Sequence, residues 1–258
     1  VSEPGYTQDP LEEHDTAGRG VLHKYDSRVL LMVKTGCAVN CRYCFRRHFP
    51  YQDNAVSKRQ WDDALAYIAS HPNINEVIFS GGDPLMANDN QLAWLAEEIA
   101  AIHHVKRLRI HTRLPVVLPE RIDHAFTTWL TRLPLQTVLV LHANHANEVT
   151  PALAERLSGL RREGTTILNQ AVLLKGVNDN ASSLCDLSET LFDAGILPYY
   201  LHVLDKVEGA HHFYVCDDSA RQLMKETIKR LPGFLVPKLV REIGGQPGKT
   251  PIDLHLHP

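Results

Sequence analysis

RVLLMVKTGCAVNCRYCFRRH, residues 28–48, decides the fold. Its apolar head, Val29–Val33, reads as a buried strand, and its tail brings Cys37, Cys41 and Cys44 onto one tight loop directly after that strand. Three thiolates suit an iron–sulfur cubane with one iron left open to a small molecule, whereas a closed structural zinc site takes a fourth ligand. His48 follows shortly, so an irregular Cys3His zinc site is the competing reading on spacing alone. Two facts weigh against zinc. The cysteines follow a strand-like run rather than sitting in a small zinc module, and 258 residues bury enough core to need no metal staple.

Working outward, short apolar runs alternate with longer amphipathic stretches. The pattern predicts strands at 28–35, 76–80, 107–112, 136–142, 165–172 and 198–204, with helices at 57–70, 90–102, 120–131, 150–163, 180–194 and 217–230. Six strand–helix units with right-handed crossovers give a parallel sheet with helices outside, curling toward a partial (β/α)6 barrel; a doubly wound sheet is the competing topology. Residues 1–27, polar and rich in turn formers, read as an irregular lead-in to a unit spanning 28–258. Polar residues recur where strands end. The cysteine loop follows the first strand, Ser80-Gly81-Gly82-Asp83-Pro84 the second, His111 and Arg113 the third and His142 the fourth, while Gln170 lies late in the fifth and Asp205 follows the sixth. Barrel enzymes gather their chemistry at these ends.

Composition limits the function classes. With 44% hydrophobic and 22% charged residues the chain is globular rather than disordered. A formal net charge of −3, from 27 Lys and Arg against 30 Asp and Glu, argues against broad nucleic-acid binding. Apolar runs fall far short of the ~20 residues a membrane span needs, and the acidic start VSEPGYTQDPLEEHD is unlike a secretory leader. Cysteine usage fits a reducing, cytoplasmic compartment. Cys185 and Cys216 read as ordinary buried or half-buried helix thiols, and the paired histidines (103/104, 211/212, 255/257) as surface or helix-end residues.

Near the C-terminus, VPKLVREIGGQPGKTPI (236–252) is a seventh apolar run with a glycine-rich turn bearing Lys249. A phosphate-binding P-loop fails on register, because Ile243 stands where its first glycine belongs and Pro251 interrupts the following helix. The alternative is an amine held over the barrel mouth, where a lysine forms a Schiff base with an aldehyde such as pyridoxal phosphate (PLP).

Taken together, HKYDSRVLL, CAVNCRYCFRR, FSGGDPLM, RLRIHTRLPVVLPERI, NQAVLLKGVND, PYYLHVLD and GGQPGKTP, in this order over about residues 20–252, resemble the lysine 2,3-aminomutase family of radical S-adenosylmethionine (SAM) enzymes. The segment LHVLDKVEGAHHF is most similar to the branch that makes β-lysine for modifying bacterial translation elongation factor P. The resemblance implies an isomerase of the radical SAM barrel type that uses a 4Fe-4S cluster, SAM and PLP. Its substrate would be L-lysine and its cluster would be reduced by an external electron donor. It would be linked to elongation factor P and the ligase that charges it, with no nucleic-acid or membrane partner. A free-lysine or other amino-acid 2,3-aminomutase of metabolism is the rival within enzymes, and a non-catalytic metal-binding scaffold the rival outside them.

Carried over residue by residue, the resemblance has Cys37, Cys41 and Cys44 hold the cluster and Tyr43 lie near the adenine of SAM. Gly81, Gly82 and Asp83 would approach its methionine part, with Asp83 accepting from the ammonium, and His142 and Gln170 would lie about its ribose. Lys249 would carry PLP, and Arg28 and Arg113 would meet anionic groups of the cofactors. For the substrate, Arg46 would bind the carboxylate, and Asp205 and Glu242 the distal ammonium. Glu242 stands where the family has Asp, which keeps the charge and shifts its position. The tail DLHLHP has no cysteines, so the zinc site of some free-lysine relatives is not carried over.

Overall fold

Seven strands pair in parallel, each with its neighbour in sequence: β2 (Arg28–Lys34), β3 (Glu76–Gly81), β4 (Arg107–Thr112), β5 (Gln136–Leu141), β6 (Thr166–Val172), β7 (Leu197–His202) and β8 (Lys238–Arg241). The computed structural model describes residues 3–11, 20–48, 58–246 and 248–256. At one edge β1 (Val21–Tyr25) runs antiparallel to β2, and at the other β9 (Thr250–Pro251) runs antiparallel to β8. The order β1 to β9 is strictly sequential, and the sheet stays open rather than closing on itself. This is the partial barrel expected from the sequence, with one parallel strand more than the six repeats and not the reversed strand order of a doubly wound sheet.

Helices α1 (Lys58–Ala69), α2 (Asp89–Ala100), α3 (Leu114–Val117), α4 (His124–Arg132), α5 (Pro151–Arg162), α6 (Ala181–Asp193) and α7 (Asp217–Arg230) fill the crossovers. Side-chain caps set several starts: Asn88, Asp123, Thr150 and Asn180 each accept from a backbone N–H three residues on. These helices bury apolar stripes such as Leu92, Leu95, Ala96 and Ile99 of α2 against the outer face of the sheet. Central β3 is buried along its whole length, as a parallel strand covered on both faces must be.

Three elements differ from the expectation. The lead-in contains β1, because Val21 and Leu22 pair with Leu31 and Leu30 once the turn at Asp26–Ser27 folds the chain back. The helix expected at 120–131 starts at His124, since Pro115 and Pro119 break the preceding stretch into short turns and Asp123 caps the N–H of Phe126 at 2.8 Å. Cys216 is exposed at the N-terminal cap of α7, whereas Cys185 is half-buried within α6. Ser57 and His257 lie outside the described residues. Among the described residues no helix is long and apolar enough to cross a membrane.

Candidate active site

Alternation along β4 shows how the sheet builds the site. In RLRIHT, Leu108 and Ile110 are buried in the helix-side core, while Arg107, Arg109 and His111 face the opposite side. In a flat sheet that second side would meet water; here it lines a cavity of about 570 Å³ enclosed by the curl of the barrel. The cavity runs from the cysteine loop at the C-terminal strand ends to Arg28, Glu76 and Arg107 at the N-terminal ends. Every residue that the resemblance assigns to a cofactor or to the substrate lies on its wall. The wall also carries Tyr25, Asn144 and His202, which the sequence reading did not single out.

The loop at 81–83 grips the cysteine loop through the backbone. The N–H of Gly82 donates to the carbonyl of Lys34 at 2.7 Å and that of Asp83 to Gly36 at 2.9 Å. A Cβ on Gly81, whose φ is +121°, would collide with the Lys34 carbonyl, and one on Gly82 with the Gly36 carbonyl. The glycines are therefore required by contacts within the chain, whatever cofactor they also face. Asp83 is committed as well. Its Oδ1 accepts from the N–H of Leu85 at 3.0 Å and the hydroxyl of Thr112 at 2.6 Å, and its Oδ2 from the N–H groups of Arg113 and Leu114 at 2.8 and 2.9 Å. The role expected for this carboxylate, accepting from a ligand ammonium, competes with four bonds, three of which tie the end of β3 to the end of β4.

Cys37, Cys41 and Cys44 share one wall. No three His, Cys, Asp or Glu side chains among the described residues cluster tightly enough to hold an ion. Burial, then the Asp83 carboxylate and the other two thiols, pushes Cys37 up to about 11, and burial raises Cys44. Both are thiols at neutral pH, so a bound cation has to displace their protons. The donor set, three sulfurs from one short loop, fits an iron–sulfur cluster. His48 turns away, with its Nε2 against the Glu208 carbonyl at 3.4 Å, and this removes the fourth ligand that the zinc reading required.

Tyr43 is fixed by two side chains. Its hydroxyl accepts from Arg113 Nη1 at 2.8 Å and from Asn144 Nδ2 at 2.7 Å, and burial raises its pKa. Arg113 also donates to the His142 carbonyl at 2.9 Å and pairs with Glu148 at 2.8 Å. Asn144 in turn accepts from the N–H of Val172 at 2.8 Å. The only trace of Asn144 and Glu148 in the sequence is a polar run after β5, which looks like any loop.

Across the cavity the antiparallel register of β8 and β9 pairs Arg241 with Thr250, and so sets Glu242 beside Lys249. Their side chains form an ion pair, and the hydroxyl of Tyr25 donates to Glu242 Oε1 at 3.2 Å. The guanidinium of Arg28 lies over the Tyr25 ring, 3.9 Å from its centroid. Arg46 donates to the Ser80 hydroxyl at 3.2 Å. A chain amine, two carboxylates (Asp205 and Glu242) and a guanidinium thus face one enclosed space.

Three half-buried imidazoles complete the wall. Burial, with Arg113 and Arg46 nearby, pushes His142 down to about 3, and its Nε2 accepts from Gln170 Nε2 at 2.9 Å. Burial, then Lys249, also brings His202 to about 3, and burial and Arg109 lower His111 well below its usual value. Histidines whose folded pKa lies below an unfolded value of about 6.5 remain neutral in the fold while the unfolded chain takes up protons. Stability contributed by His142 and His202 is therefore present above about pH 6.5. It is lost as pH falls from there toward 3. We expect the melting temperature of the cofactor-free protein to fall steadily from pH 6.5 to 5, and His142→Gln to flatten the curve. Parallel curves for the two proteins would contradict the assignment.

Comparison with known proteins agrees with the geometry. The profile of the radical SAM superfamily matches residues 31–181. The chain is 59% identical over 256 residues to L-lysine 2,3-aminomutase of Escherichia coli (strain K12), covering 99% of this chain and 75% of that protein. It is 56% identical over 251 residues to L-lysine 2,3-aminomutase of Haemophilus influenzae, covering 97% and 74%. Among solved structures it shares its fold with a radical SAM methyltransferase from Sphaerobacter thermophilus at a TM-score of 0.57 and 16% identity, covering 87% of this chain and 69% of that one. The superfamily match spans the cysteine loop and the first strands of the barrel, and the two aminomutases match nearly all of the rest, so the chain belongs to the lysine 2,3-aminomutase family of radical SAM isomerases.

Proposed function

We propose that this chain converts L-lysine to β-lysine in the cytoplasm, depends on PLP together with a 4Fe-4S cluster and SAM, and makes β-lysine for attachment to translation elongation factor P by its ligase. The observation that carries the reading is the pairing of Lys249 with Glu242 on the wall of the cavity that the three cysteines also line. One enclosed space thereby offers thiols for a cluster and an amine for an aldehyde cofactor. When bound, the cofactors supply a carbon radical and a conjugated ring that delocalises an unpaired electron.

The protein's own share is positioning. Cys37, Cys41 and Cys44 would hold the cluster, with the backbone of 81–83 bracing their loop. Tyr43, oriented by Arg113 and Asn144, would face the adenine of SAM, and His142 with Gln170 its ribose. Lys249 would hold PLP, and Arg28 an anionic group of a cofactor. Arg46 would take the lysine carboxylate through two parallel bonds, and Asp205 and Glu242 the distal ammonium. A glutamate side chain would meet those two carboxylates with like charge, which disfavours glutamate as substrate. On this reading residues 28–258 form the catalytic unit, with the segment before it closing the edge of the sheet.

The test is anaerobic reconstitution with iron, sulfide and PLP, followed by incubation with SAM, dithionite and L-lysine and chromatography of the products with mass detection. A β-lysine peak that requires PLP is expected. SAM cleavage with lysine untouched would mean that the substrate is wrong. Supplying elongation factor P and its ligase then tests the acceptor: β-lysine bound to the factor supports the proposed role, and β-lysine left entirely free assigns the enzyme to lysine metabolism.

A further inference from the structure

Glu242 pairs with the ammonium of Lys249, so its carboxylate accepts from an alkylammonium in this cavity. An ammonium carries three N–H donors, and each left without an acceptor in a buried site costs free energy. Asp205 and Glu242 supply two acceptors. We propose that Nε2 of His202 is the third acceptor for the substrate's distal ammonium, which makes His202 a substrate-binding residue that selects for a terminal amine. The inference rests on the lysine reading above and deepens it.

Four observations support it. His202 is the last residue of β7, three before Asp205, and it pairs with Val240 of β8, two before Glu242, so the three acceptors come from adjoining strand ends. Its neighbour Leu201 is buried in the helix-side core, which turns the imidazole to the opposite face, where it lines the cavity together with Asp205, Glu242 and Lys249. Its Nε2 is buried and has no hydrogen-bond partner among the described residues. Finally, Lys249 and Glu242 are the charged groups that act most strongly on this ring.

The chemistry favours histidine here. Two carboxylates already exceed the single positive charge of an ammonium, and a third would add repulsion. A neutral imidazole offers a lone pair without a charge, and burial keeps His202 neutral at physiological pH. His111 also presents a buried Nε2 without a partner among the described residues, but its foremost charged neighbour is Arg109, a cationic surrounding that suits an ammonium poorly.

The test measures binding without turnover. The reconstituted holoenzyme, without reductant, is titrated with L-lysine and with L-norleucine, which has the same chain length but no distal amine, and the change in PLP absorption is followed. His202→Leu is expected to weaken lysine by about tenfold or more, the scale of a lost hydrogen bond to a charged group, and to leave norleucine within about twofold. His202→Gln, which restores a neutral acceptor, is expected to recover most of the lysine affinity. Equal weakening of both ligands, or unchanged lysine affinity in His202→Leu, overturns the proposal. If His202→Leu fails to take up iron, His202→Asn carries the same comparison, with a loss confined to lysine expected and an equal loss on both ligands overturning it. Failure of the underlying reading has a different signature: lysine would then leave the PLP absorption of the unsubstituted holoenzyme unchanged.

Discussion

Lys249→Ala is expected to abolish rearrangement of lysine while leaving iron content and some SAM cleavage in place. The substitution removes the amine that faces the cavity from the β8–β9 edge, whereas the cysteine loop follows β2 near the other edge of the sheet. Loss of a group that forms a covalent bond to cofactor lowers turnover by about a thousandfold or more. The variant also strips Glu242 of its ion partner. Their side chains are 23% and 14% exposed, so the pair is partly screened, and its loss is expected to destabilise the fold by only about 1–2 kcal/mol. Lys249→Arg separates the two effects, since a guanidinium keeps the charge beside Glu242 and cannot form the Schiff base. It should melt like the unsubstituted protein and be equally inactive. If Lys249→Ala still makes β-lysine without added amine, Lys249 does not carry PLP.

Asp83→Asn is expected to give the largest loss of stability of any single change in the cavity wall. The carboxylate is buried, and its two oxygens accept four bonds from both sides of the β3–β4 junction. An asparagine has one acceptor oxygen. If that oxygen serves the N–H groups of Arg113 and Leu114, the amide nitrogen faces the N–H of Leu85 and the hydroxyl of Thr112. The hydroxyl can reverse and accept, but the Leu85 N–H is then left opposite a donor. The cost is about 2–4 kcal/mol, which for a chain of this size lowers the melting temperature by about 10 °C. Because the N–H of Asp83 also holds Gly36, iron retention should fall with it. Unchanged melting together with weakened SAM binding would return Asp83 to the ligand role inferred from the sequence.

Much of the scaffold was legible because it is written in local pattern. Strand β4 and helix α7 begin and end where the periodicity of their residues changes, and the remaining predicted strands agree to within two residues at each end. The cysteine loop was legible for the same reason, since three sulfurs within eight residues need no tertiary information to share a turn. Strand β1 was missed because a five-residue run is stable only once paired, and its partner arrives through a turn that polar residues disguise as coil.

The site divides along the same line. Spacing and periodicity by themselves determined the alternation of strands and helices, the placing of polar residues at strand ends, and the chemistry of the thiols and of Lys249. Only the tertiary structure decided that the charged face of β4 looks into a cavity rather than into water. It alone set Tyr43 under Arg113 and Asn144, filled the Asp83 carboxylate from within the chain, and left Nε2 of His202 without a partner among the described residues, on the cavity wall that carries the Lys249–Glu242 pair. The physical reason is range. Periodicity records which way each side chain points from its own backbone, but what it meets there depends on the curl and register of strands far apart in sequence, and no local pattern carries that information.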